Sequence, residues 1–75
     1  METKFREIIA EVLEVTKEEV DVGIKLDLEG NWDSIAHLSF ISAIDSTFDI
    51  QLDGDDLLLC DNTSDLINLL NKYND

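Results

Sequence analysis

Ser34-Ile35-Ala36-His37-Leu38-Ser39-Phe40-Ile41-Ser42-Ala43-Ile44-Asp45-Ser46-Thr47-Phe48 contains neither proline nor glycine. Set on a helix at 100° per residue, Ala36, Phe40, Ile41, Ala43, Ile44 and Phe48 share one broad arc, the core face. Ile35 and Leu38 do not belong to it. They fall among Ser34, Ser39, Ser42, Asp45 and Ser46, on the face that meets water. Two readings are open for this pair. Single apolar side chains are common on protein surfaces, and a following helix could cover them. Alternatively, they form a docking spot for another protein. The turn signal Glu29-Gly30-Asn31 precedes the helix, and Asp33 or Ser34 can cap it.

Upstream, Phe5, Ile8, Ile9, Val12 and Leu13 make one helical stripe, with Thr3 as the expected N-cap and Glu7, Glu11 and Glu14 toward water. Thr16-Lys17-Glu18-Glu19 matches a capping box, so a short helical turn is expected next. Between residues 20 and 28, Val20, Val22, Ile24, Leu26 and Leu28 alternate with Asp21, Gly23, Lys25 and Asp27, the pattern of a strand. No second strand is available to pair with it, and a lone strand leaves backbone groups unpaired. The segment is therefore expected to be an extended loop that tucks alternate side chains into the core. Downstream, Gly54 marks a turn. Asp55 to Leu59 suits a short helix with carboxylates at its positive end. Thr63 can cap a last helix carrying Leu66, Ile67, Leu69 and Leu70 and ending near Lys72. The expected fold is all-α: a small antiparallel bundle of three main helices plus a short helix, with a long first loop. No linker or repeat divides residues 1–75, so a single domain is expected.

The chain has 75 residues and a net charge of -13, from 18 acidic and 5 basic side chains. A domain of this size buries roughly 60 % of the surface its unfolded chain exposes, enough for one thin core. The charge repels phosphate backbones and anionic lipids, so neither nucleic acid nor membrane insertion is expected. It serves either to steer basic protein surfaces inward or simply to confer solubility. Cys60 is the single cysteine, which rules out an internal disulfide and fits a reducing compartment. There is no apolar run near 18 residues and no basic-then-apolar start. A cytoplasmic monomer is expected.

Asp33-Ser34-Ile35 resembles the Asp-Ser-Leu motif of acyl carrier proteins. Phe48-Asp49-Ile50 is similar to that family's usual Phe-Asp/Gly-Ile ending of the same helix. The acidic short helix, the threonine opening the last helix (here Thr63) and the long loop before the motif follow in the family's order, so the resemblance covers essentially the whole chain. It implies that a phosphopantetheinyl transferase attaches 4'-phosphopantetheine, taken from coenzyme A, to the Ser34 hydroxyl. The arm's thiol would then carry acyl groups as thioesters between enzymes of lipid, polysaccharide or specialised-metabolite biosynthesis, with no catalysis by the chain itself. Asp33 would be the motif's acidic neighbour. Ile35 would take the place of the leucine that contacts partners. Ile35, Leu38, Asp45, Asp55 and Asp56 would form the docking surface for enzymes with basic patches. Carriers of fatty acid synthesis usually expose several carboxylates on the motif helix, whereas here Asp45 is the one acid clearly inside it. Asn31-Trp32 before the motif is similar to carriers of specialised pathways. Peptidyl and aminoacyl carriers, the nearest alternative, usually have glycines there. An acidic helical interaction module without a prosthetic group is the alternative outside the class.

Other constellations point less far. Ser34 and His37 stand one turn apart beside Asp33, but no glycine-rich elbow or oxyanion loop accompanies them, and His37 is expected to be a partly buried helix residue with a local hydrogen bond. Residues 49 to 60 space loosely like a calcium loop, yet Cys60 stands where the bidentate glutamate belongs, and no metal is expected. Cys60 is expected to be a small core residue, and Trp32 to be partly buried at the start of the motif helix.

Overall fold

A computed structural model of the chain describes residues 2–74. Five helices follow in order: α1 (Glu2–Leu13), α2 (Lys17–Val22), α3 (Ser34–Phe48), α4 (Gly54–Leu58) and α5 (Thr63–Asn74). The fold is all-α; among the described residues the one β-type pairing is an isolated antiparallel bridge between Lys25 and Asn62.

The expected stripe of α1 is the core stripe. Phe5, Ile8, Ile9 and Leu13 are buried, with Val12 half-buried beside them. Thr3, however, lies inside the first turn rather than before it, because α1 already begins at Glu2. Its other end is closed by a Schellman arrangement. Val15 N–H donates to Ala10 O (2.9 Å) and Glu14 N–H to Glu11 O (3.3 Å), with Glu14 in the left-handed region at φ 59. α2 starts on the predicted cap: Glu19 N–H donates to Thr16 Oγ1 (3.2 Å). Instead of reaching back to the backbone of the cap residue, the Glu19 carboxylate accepts from the Thr16 hydroxyl (3.3 Å). Ion pairs between Arg6 and Asp21 (2.7 Å) and between Lys17 and Glu7 (3.2 Å) bind α2 to α1.

α1 packs against α2, α3 and α5, and α5 also receives α2 and α4. Phe5 meets Phe48 edge-on, ring centroids 4.8 Å apart, which joins the first turn of α1 to the last turn of α3. The two helices therefore run antiparallel. Phe40 and Ile44 from α3, Leu57 from α4, and Leu66 and Leu70 from α5 complete the centre.

The segment after α2 is an extended loop, as the missing partner strand required, but it does not bury every second side chain. Val20, Ile24 and Leu26 turn inward, whereas Val22 is 89 % and Leu28 63 % exposed. Val20 and Val22 lie on a helix, where two residues subtend about 200° and so face opposite ways. Gly23, at φ 107, ends α2 in a conformation that costs glycine least. Leu28 belongs to the turn before α3.

The loop's backbone partners come from the start of α5. Leu26 N–H donates to Asp61 O (2.8 Å) and Thr63 N–H to Ile24 O (3.0 Å). Thr63 is fully buried, and it does not cap α5 as expected. The Asn62 side chain does so, accepting from Asp65 N–H (2.9 Å). The Thr63 hydroxyl instead accepts from Ile24 N–H (3.1 Å) and donates to Val20 O (3.0 Å). It thus stands between two groups that would bond to each other if α2 ran on for another residue.

Candidate functional site

The approach to Ser34 is built by residues whose roles the sequence did not reveal. Asp27 is the hub of the turn. Its carbonyl accepts from Gly30 N–H and Trp32 N–H (both 2.9 Å), and its carboxylate from Glu29 N–H (3.0 Å). Asn31 closes the knot, its Oδ1 accepting from Asp27 N–H (2.8 Å) and its Nδ2 donating to Lys25 O (3.0 Å). Asp and Asn are the side chains that commonly satisfy turn backbone in this way. The knot drives Trp32 inward. Expected to be partly buried, Trp32 is only 2 % exposed, and its ring packs edge-on against Phe40 at 5.4 Å. This burial fixes the chain two residues before Ser34.

Asp33 is the N-cap of α3. Its Oδ1 accepts from Ala36 N–H (2.9 Å) and its carbonyl from His37 N–H (3.0 Å). Ser34 is consequently the first helical residue, and its side chain is exposed. The first-turn N–H groups and the positive end of the helix dipole surround this position, with the Asp33 carboxylate already satisfying one of them. Ile35 is 73 % and Leu38 65 % exposed, so α4 covers neither. Asp45 and Asp55 are exposed as well. Asp56 is half-buried and engaged: its Oδ2 accepts from the Tyr73 hydroxyl (2.8 Å), which in turn accepts from Asp53 N–H (3.2 Å). Tyr73 thereby pins the short α4, whose own cap is Asp53, accepting from Asp55 N–H (2.9 Å).

His37 turns into the protein. Its Nδ1 is buried without a hydrogen-bond partner, so the local bond expected for it does not form there. Its Nε2 lies against Gly54, where an added Cβ would come within 3.6 Å. Cys60 is half-buried; burial, and then the carboxylates of Asp65, Asp61 and Asp56, push its thiol up to about 11. It is protonated and unreactive at neutral pH. Among the described residues no group of three or more His, Cys, Asp and Glu side chains gathers as a metal site. No described helix is long and apolar enough to cross a membrane.

The family model for the phosphopantetheine attachment site matches residues 3–70. The chain belongs to this family of carrier proteins. No curated protein and no solved structure matches it. Carrier domains of the family hold 4'-phosphopantetheine covalently, are modified by phosphopantetheinyl transferases and meet partner enzymes. Their work is carriage rather than catalysis. An exposed hydroxyl at the first position of α3 fits such a group sterically, since no side chain stands over it in the way that Trp32 and Phe40 are covered.

Proposed function

We propose that this carrier is an acyl carrier protein, a single domain over residues 1–75, with Ser34 as the attachment point. The observation that carries the reading is the placement of Ser34. Its hydroxyl is exposed on the first residue of α3, next to a cap that holds the helix start rigid. When attached, the phosphopantetheine supplies a flexible arm and a terminal thiol that holds cargo as a thioester. The chain's own contribution is to present one hydroxyl, keep its surroundings open and offer a surface for partners to read. Trp32 and the Asp27–Asn31 knot anchor the loop that leads into Ser34.

Ile35 and Leu38 are the apolar contacts for partners, with Asp45, Asp55 and the half-buried Asp56 as charged contacts. The net charge of -13 steers basic enzyme surfaces toward them, an effect that weakens as salt rises. Asn31 and Trp32 occupy the positions where peptidyl carriers usually have glycines, and both do structural work in the loop. This favours acyl over aminoacyl cargo. That Asp45 is the one carboxylate inside α3 speaks against docking to the standard fatty acid synthase enzymes and supports a place in lipid, polysaccharide or specialised-metabolite biosynthesis.

Intact mass after incubation with coenzyme A and a broad-specificity phosphopantetheinyl transferase tests the reading. The expected result is the gain of one phosphopantetheine, and then of acyl groups when acyl donors and a ligase are added. A chain that gains nothing, yet binds a basic protein tightly, is the interaction module instead.

A further inference from the structure

We propose that the groove between α1 and α3 is a docking surface for a basic segment of the phosphopantetheinyl transferase. This inference rests on Ser34 being the attachment point. The groove has a volume of about 790 Å³. Its α3 wall is formed by the small side chains Ala36, Ser39, Ala43 and Thr47, which leave the space open. The α1 wall has an apolar floor of Ile8, Val12 and Leu13. One end reaches Asp33 and Ile35, the two residues that flank Ser34.

The charge on the rim selects the occupant. Glu7, at one end, is already balanced by Lys17 (3.2 Å) and Lys4 (3.6 Å), which hold its carboxyl below the usual range. Glu11, Glu14 and Asp33 line the end beside Ser34, and Glu11 and Glu14 are exposed there. α3 itself offers Asp45 alone. Two of the three acids at this end of the groove therefore lie on the α1 side, above an apolar floor and next to the exposed Ile35. Lysine or arginine side chains flanking one apolar side chain match that surface in both sign and shape. The footprint of the transferase thus straddles Ser34, reaching α1 as well as α3.

The test is steady-state loading of the apo carrier by a transferase with a basic docking face, using coenzyme A. The groove variants are Glu11→Lys/Glu14→Lys and, to fill the groove without touching the core, Ser39→Trp. Glu18→Lys/Asp61→Lys, two exposed acids outside the groove, makes the same change in net charge. The groove variants are expected to raise KM at least about tenfold with kcat nearly unchanged, and the charge-reversed pair to lose most of its salt dependence. The control pair should shift KM less than about threefold, by long-range steering alone. Equal KM changes in the groove and control pairs, or a normal KM for Ser39→Trp, overturn the proposal. Peptide mapping of the loaded product reports separately on Ser34: a group found elsewhere overturns the attachment assignment, whatever the KM pattern.

Discussion

Replacing Thr63 by valine removes one hydroxyl and almost no volume, and it should be among the more damaging single changes in the protein. That hydroxyl is fully buried and satisfies Ile24 N–H (3.1 Å) and Val20 O (3.0 Å) at once. In the valine variant both groups lose their partner. They cannot simply bond to each other, because Gly23 at φ 107 holds them out of helical register. A buried polar group left unsatisfied costs about 1–3 kcal/mol, and because the Ile24 N–H is only part-buried the pair should cost about 2–4 kcal/mol. A chain of 75 residues is stable by about 4–11 kcal/mol in all. The variant should therefore lose a large part of its stability, with Tm falling by about 10–30 °C. Thr63→Ser keeps the hydroxyl and drops a methyl group, which should cost only about 1 kcal/mol. Urea unfolding followed by circular dichroism, with equal m-values, gives both numbers. Amide exchange at Ile24 should rise far more in the valine variant than in the serine variant. Valine and serine variants of equal stability would refute the account of Thr63 as the clasp of the first loop.

Asp33→Ala removes the cap of α3 and should lower stability by about 1 kcal/mol, readable from the urea midpoint. It should also raise the transferase KM, since the residue presenting Ser34 frays. Trp32→Ala empties a nearly sealed site, and at about 3–5 kcal/mol it should leave the chain barely folded by circular dichroism. Because the Cys60 thiol is raised from 9.0 to about 11, alkylation by iodoacetamide should stay slow at pH 8 and accelerate only as pH approaches 11. The sign for stability follows. The unfolded thiol ionises first, so the contribution of Cys60 is fully present below pH 9 and is lost as pH rises through about 11. Fast alkylation of the folded chain at pH 8 would contradict this.

The helices were legible because their apolar residues recur at helical spacing. α3 shows this best: its arc and the exposure of Ile35 and Leu38 follow from one rotation per residue, and its start from the turn and capping residues before it. Residues 20–28 were only half legible. Their alternation imitates a strand, and nothing local reveals that α2 extends to Val22 and so turns Val22 to water. The two misread caps share a cause. Threonine before an apolar stripe is a signal for a helix start, but the signal does not say whether its hydroxyl serves its own helix. Thr3 lies within α1, and Thr63 serves α2 across the bundle while Asn62 takes the cap. The depth of Trp32 depends on the Asp27–Asn31 knot, an arrangement of side chains that no hydropathy pattern encodes. At the site, the helix start at Asp33 or Ser34 was legible, but not which of the two caps it, since both side chains can accept from first-turn N–H groups; the structure gives the cap to Asp33. The half-burial of Asp56 was not legible either, because Tyr73 lies 17 residues away in the chain.

The most direct test compares wild type with Ser34→Ala after exposure to coenzyme A and a transferase, with peptide mapping of the product. Wild type should acquire one phosphopantetheine, on the peptide holding Ser34. The alanine variant should keep its helical spectrum and its melting temperature within about 2 °C, as expected for an exposed position, and acquire none. A modified Ser34→Ala chain, or a wild-type group mapped to any other residue, would contradict the account.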